Sequence, residues 1–345
     1  MKGRYSMKSA VFYGRHDIRI EERERPSIGA EDILIRVKAC GVCGTDVHIF
    51  EGDQGAAACT PPTILGHEFS GVIETVGEKV KDFTPGERVC VDPNDMCGKC
   101  SYCRAGLGHF CESMRGIGTT VNGGFAEYCA VPAKQALRLV PQVSFEAGAM
   151  AEPVACCLHG IDLCEIRPGD TALIIGGGMI GLIMLQLARL AGAARTVLLE
   201  PVEVKRKMAR RLGADLVIDP IHEDVKAVLA CSGVGRIAAV IECAGLPATI
   251  RQAIDLAGKR SVVMMFGLTK PGDEVALRPF EIFQKEVVLK ASFINPYTQQ
   301  RAVDLINAGR IDVTSMVCAP IPLEALAGVL ADPALRAQGK YIVRP

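Results

Sequence analysis

The sequence predicts a mixed α/β protein in which a doubly wound parallel sheet is inserted into a β-rich domain. Three stretches carry that expectation: a β-rich and turn-rich first 150 residues, short apolar runs alternating with helical segments from about 171 to 289, and a closing segment of mixed strands and helices with several prolines. At 345 residues the chain exceeds the size at which one hydrophobic core usually divides, so two domains are expected.

In the first region, apolar and polar residues alternate through 33–38, as in a half-buried strand. Residues 71–77 form a second short run bounded by glycines, and Pro85-Gly86 is a turn feeding a third run. In the second region, β-branched runs at 171–175, 196–199, 216–218, 239–242 and 261–266 are separated by helical patterns. Short buried strands alternating with helices indicate a parallel sheet covered on both faces.

Composition narrows the function. Lysine plus arginine and aspartate plus glutamate each number 39, so no net field is available to attract nucleic acid or an anionic membrane. The start, MKGRYSMKSAVFYG, lacks a signal-peptide pattern, and four glycines, Gln186 and Arg189 interrupt the longest apolar run, 172–190. A cytoplasmic protein is expected. Fifteen cysteines in such a chain read as metal ligands where they cluster, and as small core residues elsewhere: Cys40, Cys59, Cys90, Cys129, Cys164, Cys231, Cys243 and Cys318.

The run Ile174-Ile175-Gly176-Gly177-Gly178-Met179-Ile180-Gly181 follows a predicted strand and opens a helix, with Gly176, Gly178 and Gly181 matching G-x-G-x-x-G. The first glycine allows a tight turn, the second lets backbone approach a pyrophosphate, and the third allows close helix–strand packing. The helix N-terminus adds free N–H groups and a positive dipole. Glycines at such a turn can be purely structural, but nineteen residues past Gly181, after the next strand, stands Glu200. A carboxylate there accepts hydrogen bonds from ribose hydroxyls and repels a 2′-phosphate, which favours NAD over NADP. Lys205 and Arg206 could take a phosphate, or form a solvated helix face with Lys207, Arg210 and Arg211.

Cys97, Cys100, Cys103 and Cys111 place four thiolates within fifteen residues, which suits a closed tetrahedral zinc site. A closed site is structural, and an iron–sulfur cluster is the chemical rival. His109 lies in the same stretch as a bystander. A second, dispersed set comprises Cys43-Gly44-Thr45-Asp46-Val47-His48, Gly66-His67-Glu68 and Ala151-Glu152-Pro153. One thiolate, one imidazole and carboxylates can hold zinc while leaving a position for water or substrate.

These motifs stand in the order and spacing of the zinc-containing medium-chain dehydrogenases, which the chain resembles from about Met7 onward. Within that family it is similar to the polyol branch of sorbitol, 2,3-butanediol and threonine 3-dehydrogenases. The liver-type enzymes have a second cysteine ligand where the polyol branch has a glutamate, and here that stretch offers Glu152, with Cys156 and Cys157 a turn further on. The resemblance implies a GroES-like catalytic domain over 1–154 with a zinc lobe at 95–112, a Rossmann domain over 155–290, and the end of the catalytic domain over 291–345.

The resemblance also implies residue roles. Cys43, His67 and Glu68 correspond to ligands of a catalytic zinc, with Glu152 ligating it or holding its water, and Asp46 orienting His67. Thr45 passes the alcohol proton to His48 and so to solvent. Ile180, Glu200 and Lys205 grip the dinucleotide, while Phe266-Gly267-Leu268 and Phe293-Ile294-Asn295 stand near its nicotinamide end. The expected enzyme carries two zinc ions per chain, uses NAD, oxidises a secondary alcohol to a ketone, and is a homotetramer. Threonine 3-dehydrogenase-like activity, a zinc-dependent carbonyl reductase and a non-catalytic Rossmann protein are the rivals. Sorbitol-specific relatives carry an arginine and a tyrosine near Ile294 and Asn295, and a further tyrosine near Ile49-Phe50; their absence points to a less polar pocket and a smaller diol or another sugar alcohol.

Overall fold

A computed structural model describes residues 6–53 and 58–345. The chain divides into two compact units, one of residues 1–155 with 296–345, the other Cys156–Asn295. The first unit opens with β1 (Ser6–Gly14), β2 (Asp17–Glu24), β3 (Asp32–Gly41), α1 (Gly44–Phe50), β4 (Thr63–Ile64), β5 (Glu68–Val76) and β6 (Arg88–Val91). It continues through β7 (Asn94–Asp95), α2 (Ser101–Arg104), β8 (Arg115–Gly116), β9 (Tyr128–Pro132), β10 (Ala136–Arg138) and α3 (Phe145–Ala149). Helix α4 (Ala151–Cys164) begins in the first unit and ends in the second.

The second unit runs β11 (Thr171–Ile175), α5 (Met179–Leu190), β12 (Arg195–Leu199), α6 (Glu203–Arg211), β13 (Leu216–Ile218), α7 (Val225–Cys231), β14 (Ile237–Glu242), α8 (Pro247–Leu256), β15 (Val262–Met265), α9 (Pro279–Lys285) and β16 (Val288–Ala291). The chain then returns to the first unit as α10 (Gln299–Asn307), β17 (Ile321–Pro322), α11 (Leu326–Ala331), α12 (Pro333–Arg336) and β18 (Ile342–Arg344).

The second unit is the doubly wound sheet, in the order β13-β12-β11-β14-β15-β16 and parallel throughout. Every residue of β11 is buried, as expected of a strand covered on both faces. The order reverses between β11 and β14, and ligands of such sheets bind outside the carboxyl ends of the strands at that switch. Local signals start the helices: the Asp224 carboxylate accepts the N–H groups of Lys226 and Ala227, and Pro247 and Pro279 open α8 and α9.

In the first unit β3 is the hub. It pairs antiparallel with β5, β9 and β18, with irregularities at Leu34/Ile35 and Val37/Ala39. The alternation read through 33–38 is therefore incomplete: Leu34 is buried along with Ile33 and Ile35, because a central strand packs on both sides. The last strand, β18, closes against β3 through Ile342 opposite Gly41, which brings the chain's end beside residues 41–43. Two other expectations change. Cys231 is exposed at the end of α7 rather than in a core. Ile49 and Phe50 are buried in the core, Phe50 with its ring 5.1 Å from that of His16, so the departure from sorbitol-specific relatives there bears on packing and not on a pocket wall. Among the described residues, no helix is long and apolar enough to cross a membrane.

Candidate active site

Cys43 directly precedes α1, which carries Thr45, Asp46 and His48, while His67 and Glu68 sit at the start of β5. One ligand atom from each of Cys43, His67 and Glu68 can be chosen so that all lie within 4.8 Å of one another. Asp46, fully buried, ties two of the three. Its Oδ2 accepts the Cys43 N–H at 2.8 Å, and its Oδ1 lies 3.5 Å from His67 Nδ1. The carboxylate therefore faces Nδ1 and leaves Nε2 as the ligating nitrogen.

The electrostatics of this cluster call for a cation. Glu68 Oε1, His67 Nδ1 and Asp46 Oδ1 are buried without a formed hydrogen bond, and Glu68 Oε2 meets only the Lys340 ammonium. Burial acts against a charged His67, yet the Cys43 thiolate and the Asp46 carboxylate outweigh it and hold the imidazole well above the usual histidine range. A half-buried cysteine beside a buried imidazole and a buried carboxylate is the donor chemistry of a zinc site, so the residues present fit the metal.

Lys340 also reaches this cluster. Its ammonium pairs with Glu68 and donates to the Val42 carbonyl at 2.8 Å. Burial works against its charge, but Glu68, Cys43 and Asp46 more than compensate, and Lys340 stays protonated above the ordinary lysine range. Sequence reasoning missed this residue. A lone lysine before an apolar tail, Gly339-Lys340-Tyr341-Ile342-Val343, reads as an exposed strand end.

Glu152 is buried in the first turn of α4 and is not part of the three-residue cluster, nor are Cys156 and Cys157. Thr45 is half-buried on α1, and His48 lies one turn further on with Nδ1 3.5 Å from Asp53 Oδ2. Asp53 N–H donates to the His48 carbonyl at 2.8 Å, which fixes the turn that presents the imidazole.

The four lobe cysteines come together as a separate cluster, their sulfurs mutually within 4.8 Å. Backbone N–H groups point at sulfur: Cys97 N donates to Cys111 Sγ at 3.3 Å and Cys100 N to Cys97 Sγ at 3.4 Å. The N–H groups of Lys99 and Cys100 pull the Cys97 thiol down to about 6, while burial and the Cys100 side chain push Cys103 up to about 12. Four converging sulfurs, two of them drawn toward the thiolate by backbone donors, suit a tetrahedral metal with no open position. His109 is buried, stacks on Phe110 with centroids 4.1 Å apart, and is not in the cluster.

In the second unit, the turn after β11 has the geometry its glycines imply. Gly176 takes φ +102°, and a Cβ on Gly181 would collide with the Gly176 carbonyl oxygen. Gly178 precedes α5 with open space where a side chain would stand, and Ile180 is half-buried in the first turn. Glu200, at the end of β12, accepts the N–H groups of Gly177 at 2.6 Å and Val202 at 2.8 Å. Each carboxylate oxygen retains capacity to accept a further hydrogen bond. Arg206 is engaged, donating to the carbonyls of Glu200 and Pro201 and pairing with Asp219 at 2.9 Å and Glu203 at 2.8 Å. Lys205 is half-buried on α6. Residues 266–268 follow β15, where the N–H groups of Phe266 and Gly267 donate to the Glu242 carbonyl. Residues 293–295 follow β16, with Ile294 at φ +46° and Asn295 fully buried.

A dinucleotide-type sheet edge in one unit and a cation-seeking thiolate–imidazole–carboxylate cluster in the other define the class of a metal-dependent dehydrogenase. Comparison with known proteins agrees. The family model for the alcohol dehydrogenase GroES-like domain matches residues 29–142, and that for the zinc-binding dehydrogenases matches 179–308. D-arabinitol dehydrogenase 1 of Uromyces fabae is 33% identical over 342 residues, 98% of this chain and 97% of its own. A crystal structure from Sinorhizobium meliloti 1021, described as of a zinc-binding dehydrogenase bound to NADP, superposes with a TM-score of 0.93 at 40% identity over 99% of both chains. The 2R,3R-butanediol dehydrogenase of Bacillus subtilis does so with a TM-score of 0.88 at 30% identity, over 99% of this chain and 100% of its own.

The chain belongs to the zinc-containing medium-chain dehydrogenases, in their polyol branch. It is an oxidoreductase that works with zinc and a nicotinamide dinucleotide.

Proposed function

We propose that the enzyme oxidises a secondary alcohol, of the polyol, sugar-alcohol or vicinal-diol kind, to a ketone with NAD as acceptor. The observation that carries this reading is the convergence of Cys43, His67 and Glu68 on one place, with Asp46 tying Cys43 to His67. Zinc bound by these residues would supply Lewis acidity toward the alcohol hydroxyl, and a bound nicotinamide dinucleotide would supply the hydride acceptor. Asp46 holds the thiolate and the imidazole in place, and Glu152 holds water at the site. The Thr45 hydroxyl receives the alcohol proton and His48 delivers it to solvent. A second zinc, held by Cys97, Cys100, Cys103 and Cys111, maintains the lobe. The likeness to an arabinitol and a butanediol dehydrogenase supports the substrate class.

For the cofactor, Glu200 stands where a ribose 2′-hydroxyl is read, and Arg206 is already spent on Glu203 and Asp219, which together favour NAD. The backbone turn that Gly176 and Gly178 open holds the pyrophosphate, Ile180 and Lys205 flank the adenosine half, and residues 266–268 and 293–295 hold the nicotinamide end. Glu200→Gln is expected to narrow the NAD-over-NADP ratio of kcat/KM by about tenfold, the order of one removed charge repulsion. An unchanged ratio would remove Glu200 from cofactor choice. As in the polyol branch, the enzyme is proposed to be cytoplasmic and a homotetramer, which light scattering on the eluted protein checks.

The direct test is NAD reduction over sugar alcohols, vicinal diols and threonine, with and without a zinc chelator. Chelator-sensitive turnover of a polyol or diol is the expected result. Turnover of threonine alone, or faster carbonyl reduction than alcohol oxidation, would replace this reading with the corresponding rival.

A further inference from the structure

Lys340 and Glu68 are 3% and 0% exposed, which makes them a buried ion pair inside the first unit. Burying two charges is costly, and such a pair persists only where geometry over-determines it. Here it does. The Lys340 N–H donates to the Met316 carbonyl at 2.9 Å, its carbonyl accepts the Cys318 N–H at 2.8 Å, and the next residue's carbonyl accepts the Val42 N–H at 3.0 Å. The side chain then passes over Gly41, where an added Cβ would lie 2.8 Å from Lys340 Cε and collide with Glu68 Oε2. A residue 298 positions from Val42 is thus aimed from both backbone sides at one carboxylate.

The charges around that carboxylate give the pair a purpose. The Cys43 thiolate and the Asp46 and Glu68 carboxylates supply three negative charges, the two acids fully buried. A divalent cation among them leaves one negative charge over, and the Lys340 ammonium brings the set to zero. A pair that served only to anchor the chain's end would not need to fall on a member of the donor cluster.

We propose that Lys340 is a positioning residue of the metal site: its ammonium shares the Glu68 carboxylate with the zinc, keeping Glu68 a weak, displaceable ligand and the buried set neutral. This rests on the assignment of Cys43, His67 and Glu68 to zinc. Without Lys340, Glu68 is free to bind the metal fully, in a site one charge more negative. Metal is then held more tightly, and the position that substrate needs is closed.

The test measures zinc release to a chromogenic chelator from the native protein, with metal content and turnover in parallel. Lys340→Met, which keeps the length of the stem, is expected to slow release of the less tightly held zinc by about tenfold and to lower kcat by a similar factor at full zinc content. Lys340→Arg is expected to behave like the parent. In a Glu68→Gln background the Lys340→Met change is expected to have no effect on release, and that double variant, lacking both charges, serves if Lys340→Met alone does not fold. A structural anchor would lower thermal stability and leave release unchanged or faster, and either release result overturns the proposal. Metal content separates the two levels: content unaffected by Cys43→Ala would overturn the zinc site and this proposal with it, whereas a normal site with unchanged release overturns the role of Lys340 alone.

Discussion

Gly181→Ala is expected to raise the dissociation constant for the dinucleotide more than tenfold and to lower the thermal midpoint of the protein. The added methyl would occupy the space of the Gly176 carbonyl oxygen; that oxygen is backbone and a Cβ has no rotamer, so neither can rotate away. Overpacking of this kind costs about 1–3 kcal/mol. Spread over 345 residues, each kcal/mol is worth roughly 1–2 °C. To relieve the clash, α5 must lift from β11, and its N-terminal N–H groups move with it. Gly178→Ala separates the two effects. Its methyl meets nothing in the fold, so the midpoint should hold while binding weakens, because the space it fills is where the pyrophosphate approaches. Fluorescence titration with the dinucleotide and thermal unfolding of both variants check this. Normal binding by the Gly181→Ala protein would mean that close helix–strand packing does not shape the site.

Cys43→Ala is expected to remove one equivalent of zinc per chain and to reduce turnover by about three orders of magnitude. The thiolate is the one sulfur ligand in the cluster, and its loss leaves an imidazole and a carboxylate already paired with Lys340. Loss of the several kcal/mol that a Lewis-acid metal contributes corresponds to a fall of that size. The cysteine lobe is a separate cluster and should keep its own metal, so the residual content reports on it. Metal analysis with steady-state rates decides the matter. Unchanged zinc with lost activity would make Cys43 something other than a ligand.

Some of this was legible from spacing alone. The β11 turn could be read because its function is local: the glycines, the strand before and the helix after are contiguous, and each has one steric job. The lobe was legible for the same reason, since Cys97 to Cys111 close on themselves within a single loop. Strand positions in the doubly wound sheet followed from runs that must be apolar throughout when both faces are covered. Alternation in β3 was a poorer guide, because a hub strand with three partners buries residues that a half-exposed strand would show to water.

The dispersed cluster was different. No spacing rule joins Cys43 to His67; residue chemistry made them a candidate set, and the family resemblance gave them their roles. The pairing of β3 with β5, with Gly41 opposite Glu68, sets the end of one strand beside the start of the other. Ile49 and Phe50 show the reverse error, since α1 turns them inward and the substrate inference drawn from them falls away.

The sequence by itself determined the two-part architecture, the glycine turn after β11, the clustering of the lobe cysteines and the kinds of ligand available, because each of these depends on residues near one another in the chain. Only the tertiary structure decided which groups share a charge. Lys340 meets Glu68, Asp46 meets His67, and Arg206 is diverted to Asp219, all through strand pairing and helix placement that bring distant residues within a few ångströms. Coulomb interactions and hydrogen bonds fall off over that same distance, and so the electrostatics of a site belong to the fold.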